Sequence, residues 1–160
     1  MKEKIEVLKK IADVLNKNNI TWNLGASCML YLRGIVDTFD DIDIMVKMDD
    51  INRVKELFKD YPLEEKYPNE QYKTEVFLEY KIENIDIDIM AGFNIVNNGK
   101  EHYFPLGDNV GDCFELDGAS LYLETVETWL KYYKLMNRED KVKIIEEYLN
   151  KNKRIEKKPK

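Results

Sequence analysis

The sequence predicts an α+β fold, and three observations carry that reading. Apolar residues recur at helical spacing near both ends of the chain. In the middle they alternate at period two. Turn chemistry such as Asn97-Asn98-Gly99 and Asp117-Gly118 falls between the alternating runs, marking hairpins. The order is helix–strand–helix–strand–helix, then hairpins, then two helices. That order predicts a mixed, mostly antiparallel sheet flanked by helices, not a regular βαβ repeat.

Each element has its own signal. Residues 3–16 place Ile5, Leu8, Ile11, Ala12 and Leu15 on one helical face. Residues 20–24 are short and β-leaning, and Gly25 breaks them. Residues 27–33 read as a short helix that Gly34 ends. Ile42, Ile44 and Val46 alternate with Asp41, Asp43 and Met45, the pattern of a strand with one face in a core and one in a site. Asp49 reads as the cap of a helix to about Lys59, stopped by Tyr61-Pro62. Residues 75–80 and 85–90 form a hairpin around 81–84, and residues 93–96 and 102–104 form a second. Residues 113–116 and 120–123 form a third. Thr125 caps a helix carrying Val126, Trp129, Leu130 and Tyr133, and a last helix spans residues 140–150. The expectation is one domain over residues 1–150, followed by a basic, disordered tail, KNKRIEKKPK, over 151–160.

Composition narrows the function. A chain of 160 residues with 44% apolar content can bury one sizeable core. No apolar run approaches the roughly 18 residues that span a bilayer, and the N-terminus lacks a signal peptide's apolar region, so a cytoplasmic location is expected. Cys28 and Cys113 have no metal-ligand spacing and read as buried apolar fillers. His102 is the single histidine, which leaves a zinc site or a Ser-His-Asp triad without material. A net charge of −6 disfavours a long nucleic acid as partner.

What remains is carboxylate chemistry. Asp41 and Asp43 leave one face of a strand, and Asp86 and Asp88 repeat the pattern in IDIDIM. Carboxylates that close repel each other and favour a bound cation. Oxygen-only ligands suit Mg²⁺ or Mn²⁺, which commonly share their shell with phosphates. If the two strands neighbour each other, a three-carboxylate cluster results, the arrangement of two-metal phosphoryl transfer. Further cationic candidates are Arg33, after the short helix, and Lys134 and Arg138, four residues apart on or just past the Trp129 helix.

These residues resemble the nucleotidyltransferase superfamily, whose best-known member is DNA polymerase beta. The resemblance rests on Leu24-Gly25 with Ser27, the Asp41-Ile42-Asp43 strand in TFDDIDIMV, the later acidic strand, and the closing stretch ETWLKYYKLMNREDKVKIIEEYL. It spans about residues 20–150 and looks most like small stand-alone bacterial members. It implies that the sheet is a nucleotidyltransferase fold closed by two C-terminal helices. Asp41 and Asp43 would be metal ligands, with Asp88 as third carboxylate and general base and Asp86 as its alternative. Gly25 would let the backbone approach a triphosphate, Ser27 would donate to a phosphate oxygen, and Lys134 would add a cation. Ala26 stands where the family usually has Gly, and the spacing from Gly25 to Asp41 implies a longer loop at 34–40. The implied activity is Mg²⁺-dependent transfer of a nucleoside monophosphate from an NTP, such as ATP, to a hydroxyl acceptor. That acceptor could be a small molecule, a protein or an RNA end, with a homodimer or partner chain completing the acceptor pocket. The alternative is a nucleotide-binding regulatory module of the same fold, such as a toxin–antitoxin component.

Overall fold

The structure, a computed structural model, describes residues 1–156, the last three by backbone alone. The N-terminal helix α1 (Lys2–Lys17) leads into β1 (Trp22–Gly25), α2 (Ala26–Leu32) and β2 (Ile42–Val46). A 3-10 turn at Met48–Asp50 precedes α3 (Ile51–Leu57). Strands β3 (Leu63–Lys66), β4 (Val76–Ile82), β5 (Ile85–Ala91), β6 (Phe93–Asn97), β7 (Lys100–Phe104), β8 (Asp112–Leu116) and β9 (Ala119–Leu123) follow. Helices α4 (Val126–Leu135) and α5 (Glu139–Glu156) close the chain.

Seven strands make one sheet in the order β3-β4-β5-β2-β1-β9-β8, and β6-β7 form a separate ribbon. Among the described residues, only the pairs β2–β5 and β1–β9 are parallel. The sheet is therefore mixed and mostly antiparallel, as the residue pattern predicts. The three hairpins turn through Glu83-Asn84, Asn98-Gly99 and Asp117-Gly118, each with both residues at positive φ, the two-residue turn that matches strand twist.

The sheet has one apolar face and one acidic face. Leu24, Ile44, Ile89 and Leu78 follow one another across β1, β2, β5 and β4, all fully buried. This face belongs to the core that includes Val7, Leu8, Ile11 and Leu15 of α1 and Ile51, Val54 and Phe58 in and after α3. Trp22 Nε1 donates to Asn16 Oδ1 at 2.8 Å, tying α1 to β1. The neighbouring row on the opposite face is Gly25, Asp43, Asp88, Glu79 and Glu64. Helix α4 covers its Gly25 end: Trp129 packs over Gly25, and Thr125 caps the helix by accepting from Thr128 N at 3.2 Å.

Four local expectations change. Strand β3, with sequence LEEK, lies where no strand pattern is legible, because all four residues are exposed. Asp49 gives α3 no side-chain cap, and the helix begins only after the 3-10 turn. Cys113 is exposed rather than a buried filler, because it sits on edge strand β8; Cys28 is buried as expected. Helix α5 runs on to Glu156 through part of the segment expected as a disordered tail, since Lys, Arg and Glu favour helix and no Gly or Pro intervenes. Residues 157–160 of that expected tail lie outside the described residues. Among the described residues, no helix is long and apolar enough to cross a membrane.

Candidate active site

Strand register builds the acidic centre. Because β2 and β5 are parallel neighbours, Asp43 stands level with Asp88, and both side chains leave the same face. Continuing that register sets Asp41 level with Asp86 at the start of the two strands. Glu79 of β4 lies opposite Asp88 on its other side. These carboxylates converge because the chain returns through α3 and the β3–β4 pair to lay β5 beside β2.

The environment disfavours full ionisation. Burial raises the pKa of Asp43 well above the ordinary carboxylate range, with the charges of Asp88 and Asp41 adding to the shift. Asp88 is pushed up to about 7 by burial, then by the charges of Asp41 and Glu79. Asp41 is exposed, and its pKa is raised by partial desolvation and by Asp86 and Asp40. Asp88 is 8% exposed, and its Oδ1 has no hydrogen-bond partner. An orphaned, buried carboxylate oxygen beside a second carboxylate fits a hard divalent cation. Among the described residues, no three such side chains already close into a ligand shell. Asp43 and Asp88 would thus hold an ion whose remaining positions fall to water and phosphate oxygens, the usual way magnesium is bound.

Asp43 and Asp88 face a cavity of about 420 Å³. Its floor holds these two carboxylates, with Asp40 also lining it. Its other walls carry Tyr72, Phe77, Phe93, Trp129 and Tyr133, together with Ser27, Arg138 and Lys141. Trp129 and Tyr133 are one helical turn apart on α4, their rings 5.3 Å apart, and both are buried. Tyr133 resists ionisation: burial raises its pKa, and the Asp43 charge adds to that shift.

The sequence candidates separate here. Asp43, Asp88, Ser27 and Arg138 line the cavity. Asp41 lies on the same sheet face but outside the cavity lining. Asp86 turns to an ion pair with Lys81 at 3.4 Å, farther along the sheet. Arg33 is engaged elsewhere: its Nη2 donates to Asp112 Oδ2 at 2.7 Å and to Glu124 O at 2.8 Å, fastening α2 to the β8–β9 hairpin. Lys134 is not brought to the cavity. Trp129 and Tyr133 turn one face of α4 inward, so Lys134, about 100° further round, faces the groove between α4 and α5.

The glycine also changes meaning. Gly25 has extended backbone, with φ −132° and ψ −169°, which any residue adopts. What excludes a side chain is the tryptophan: a Cβ there would lie 2.5 Å from Trp129 Cε2 and Nε1. Ala26, in contrast, takes φ +52°, a left-handed conformation that favours glycine.

Two contributors escaped the sequence reading. Lys141 of α5 reaches across to Ser27, its Nζ donating to Oγ at 3.0 Å. The aromatic wall of Tyr72, Phe93, Trp129 and Tyr133 is drawn from three distant segments. The sequence hints at it through the helical spacing of Trp129 and Tyr133 and through the tyrosines in the middle of the chain, Tyr72 among them, any of which could stack on a base.

No family model matches the sequence, and no curated protein matches it. Solved structures do resemble the chain. A Thermotoga maritima protein provisionally named a nucleotidyltransferase superposes with a TM-score of 0.75 at 22% identity, covering 94% of this chain and 95% of that one. ANT(2″)-Ia in complex with adenylyl-2″-tobramycin gives a TM-score of 0.61 at 11% identity, covering 94% and 92%. The solution structure of the same antibiotic-resistance factor gives 0.56 at 12%, covering 96% and 95%. These likenesses show the fold: the chain has a nucleotidyltransferase-type α+β fold over nearly its whole length.

Proposed function

We propose that this protein is a divalent-metal-dependent nucleotidyltransferase that moves a nucleoside monophosphate from an NTP to an acceptor hydroxyl. The observation that carries the reading is the in-register pair Asp43 and Asp88 at the floor of a cavity, with Asp88 Oδ1 buried and unpartnered. The fold it shares with the structural neighbours supports the same reading.

Asp43 and Asp88, with Asp41 on the rim, would hold Mg²⁺ or Mn²⁺, which when bound supplies charge neutralisation to the phosphates. Asp88, at the cavity beside Asp43, is placed to accept the acceptor hydroxyl's proton. The acceptor oxygen then bonds to the α-phosphorus, the bond from that phosphorus to its bridging oxygen breaks, and pyrophosphate leaves. Ser27 donates to a phosphate oxygen. The aromatic wall offers apolar area to a base or an acceptor ring.

A small molecule or protein acceptor fits the chain's net negative charge better than a long nucleic acid. The adenylylated small molecule bound by one structural neighbour points the same way.

The test is incubation with labelled NTPs, Mg²⁺ and cell extract, comparing wild type with Asp43→Asn. Label transferred by wild type and lost in a folded variant supports the reading. Metal-dependent NTP binding with no transfer over a broad acceptor panel would overturn it in favour of a nucleotide-binding module.

A further inference from the structure

We infer that a side cleft adjoining the cavity is a subsite for the acceptor, and that it takes an uncharged aromatic ring, with Tyr67 as the residue that selects it. This rests on the transferase reading and names an acceptor class within it.

The cleft has a volume of about 230 Å³ and shares Tyr72, Thr74 and Phe77 with the cavity that Asp43 and Asp88 face. Strand register puts it on the carboxylate face of the sheet. Phe77 pairs with Met90, and Glu79, on the same face of β4, pairs with Asp88. Phe77 therefore stands two residues along the strand from the level of Asp88, roughly 7 Å. The loop that supplies the rest of the lining is held in place. Asn69 Oδ1 accepts from the backbone N–H of Gln71 at 2.9 Å and of Tyr72 at 2.8 Å. Gln71 O accepts from Val96 N at 2.8 Å, and the Tyr72 ring stacks on Phe93 with centroids 6.5 Å apart. A cleft of this size is smaller than the ~300–1,000 Å³ of a whole ligand site, so it suits one part of a molecule whose remainder lies in the cavity.

The lining decides which part. Tyr67, Pro68, Tyr72 and Phe77 give it ring and hydrocarbon surface. Its polar groups are already engaged. Asn69 holds the loop, Thr74 Oγ1 accepts from Asn94 N at 3.3 Å, and Lys66 Nζ lies 3.2 Å from a Glu64 oxygen and 3.9 Å from one of Glu79. Among the described residues, no carboxylate lines the cleft. A cationic or many-hydroxylated group entering it would lose water without gaining partners, and a cation would also meet Lys66. An aromatic ring gives up little and gains apolar contact. Tyr67 is 80% exposed, so its ring has the area to gain from such an occupant.

The test measures binding of 2-naphthol, an aromatic hydroxyl compound uncharged at neutral pH, by calorimetry. Wild type is compared with Tyr67→Ala, Tyr67→Phe and Tyr103→Ala. Tyr103 is an exposed tyrosine that lines neither hollow, so it controls for the loss of a surface ring. Glucosamine serves as the cationic, many-hydroxylated comparison, and Mg²⁺-ATP is titrated into the same proteins. The expected result is about a fivefold weaker Kd for 2-naphthol in Tyr67→Ala, wild-type affinity in Tyr67→Phe and Tyr103→Ala, and weaker binding of glucosamine than of 2-naphthol to wild type. Mg²⁺-ATP affinity is expected to be the same in all four. The inference is overturned if wild type does not bind 2-naphthol, if Tyr67→Ala binds it normally, or if glucosamine binds as tightly. A loss of Mg²⁺-ATP affinity in Tyr67→Ala also overturns it, by giving the cleft to the nucleotide's base. The transferase reading is judged separately by label transfer with wild type and Asp43→Asn, and it stands or falls whichever ring the cleft accepts.

Discussion

Asp43 on β2 and Asp88 on β5 stand side by side across a parallel strand pair, and Asp88 Oδ1 is buried without a partner. Burial raises both pKa values, that of Asp88 to about 7; the charges of Asp88 and Asp41 add to the shift at Asp43, and those of Asp41 and Glu79 to the shift at Asp88. An acid whose folded pKa is raised contributes stability that is fully present below its unfolded value. That contribution falls as pH rises and is gone once pH passes the folded value. The metal-free protein is therefore expected to lose melting temperature between about pH 4 and 7, with a slope of up to about 1.4 kcal/mol per pH unit for each proton released. Melts in EDTA across that range check this. Mg²⁺ should flatten the profile near neutrality by favouring the ionised pair, and Asp88→Asn should weaken the dependence. A stability that instead rises with pH in EDTA would contradict the raised pKa values.

Gly25→Ala should destabilise the fold by roughly 1–3 kcal/mol, because the new methyl group enters the Trp129 indole. Trp129→Phe removes the indole atoms nearest that methyl. The double variant should be less destabilised than the sum of the two single changes, as measured by urea unfolding. Strict additivity would mean that the glycine is needed for another reason, such as the approach of a ligand.

Ala26→Gly should stabilise the protein by about 0.5–1 kcal/mol. Relief of the left-handed alanine, worth roughly 1–2 kcal/mol, exceeds the added flexibility of glycine in the unfolded chain. Equilibrium unfolding of the two proteins decides it, and a loss of stability would mean that the methyl group is held by packing.

The hairpins were legible because their turns are chemically explicit: Asn98-Gly99 and Asp117-Gly118 adopt the positive φ values that those residues favour. Strand β3 was not, since Leu63–Lys66 is exposed throughout and carries no alternation of apolar and polar side chains. The acidic pairs could be read from period two. The choice between Asp86 and Asp88 could not, because register is set by the pairing of β2 with β5 rather than by either strand's own pattern. Gly25 was readable as a glycine of consequence, but its reason sits on Trp129, far along the chain. Lys134 and Lys141 look alike in sequence, and only the rotation of each helix about its axis separates groove from cavity.

The separate β6–β7 ribbon gives the molecule a particular evolutionary freedom. Phe93, at its start, walls the cavity, yet the ribbon stands outside the seven-stranded sheet. Gly92, at φ +65°, turns the chain out of β5 immediately after the acidic strand. Substitutions at Phe93, or in the ribbon residues paired with it, can remodel one side of the cavity while leaving the register of Asp43 and Asp88 untouched. Under the proposed function, acceptor preference then diverges between lineages without disturbing the pairing of β2 with β5.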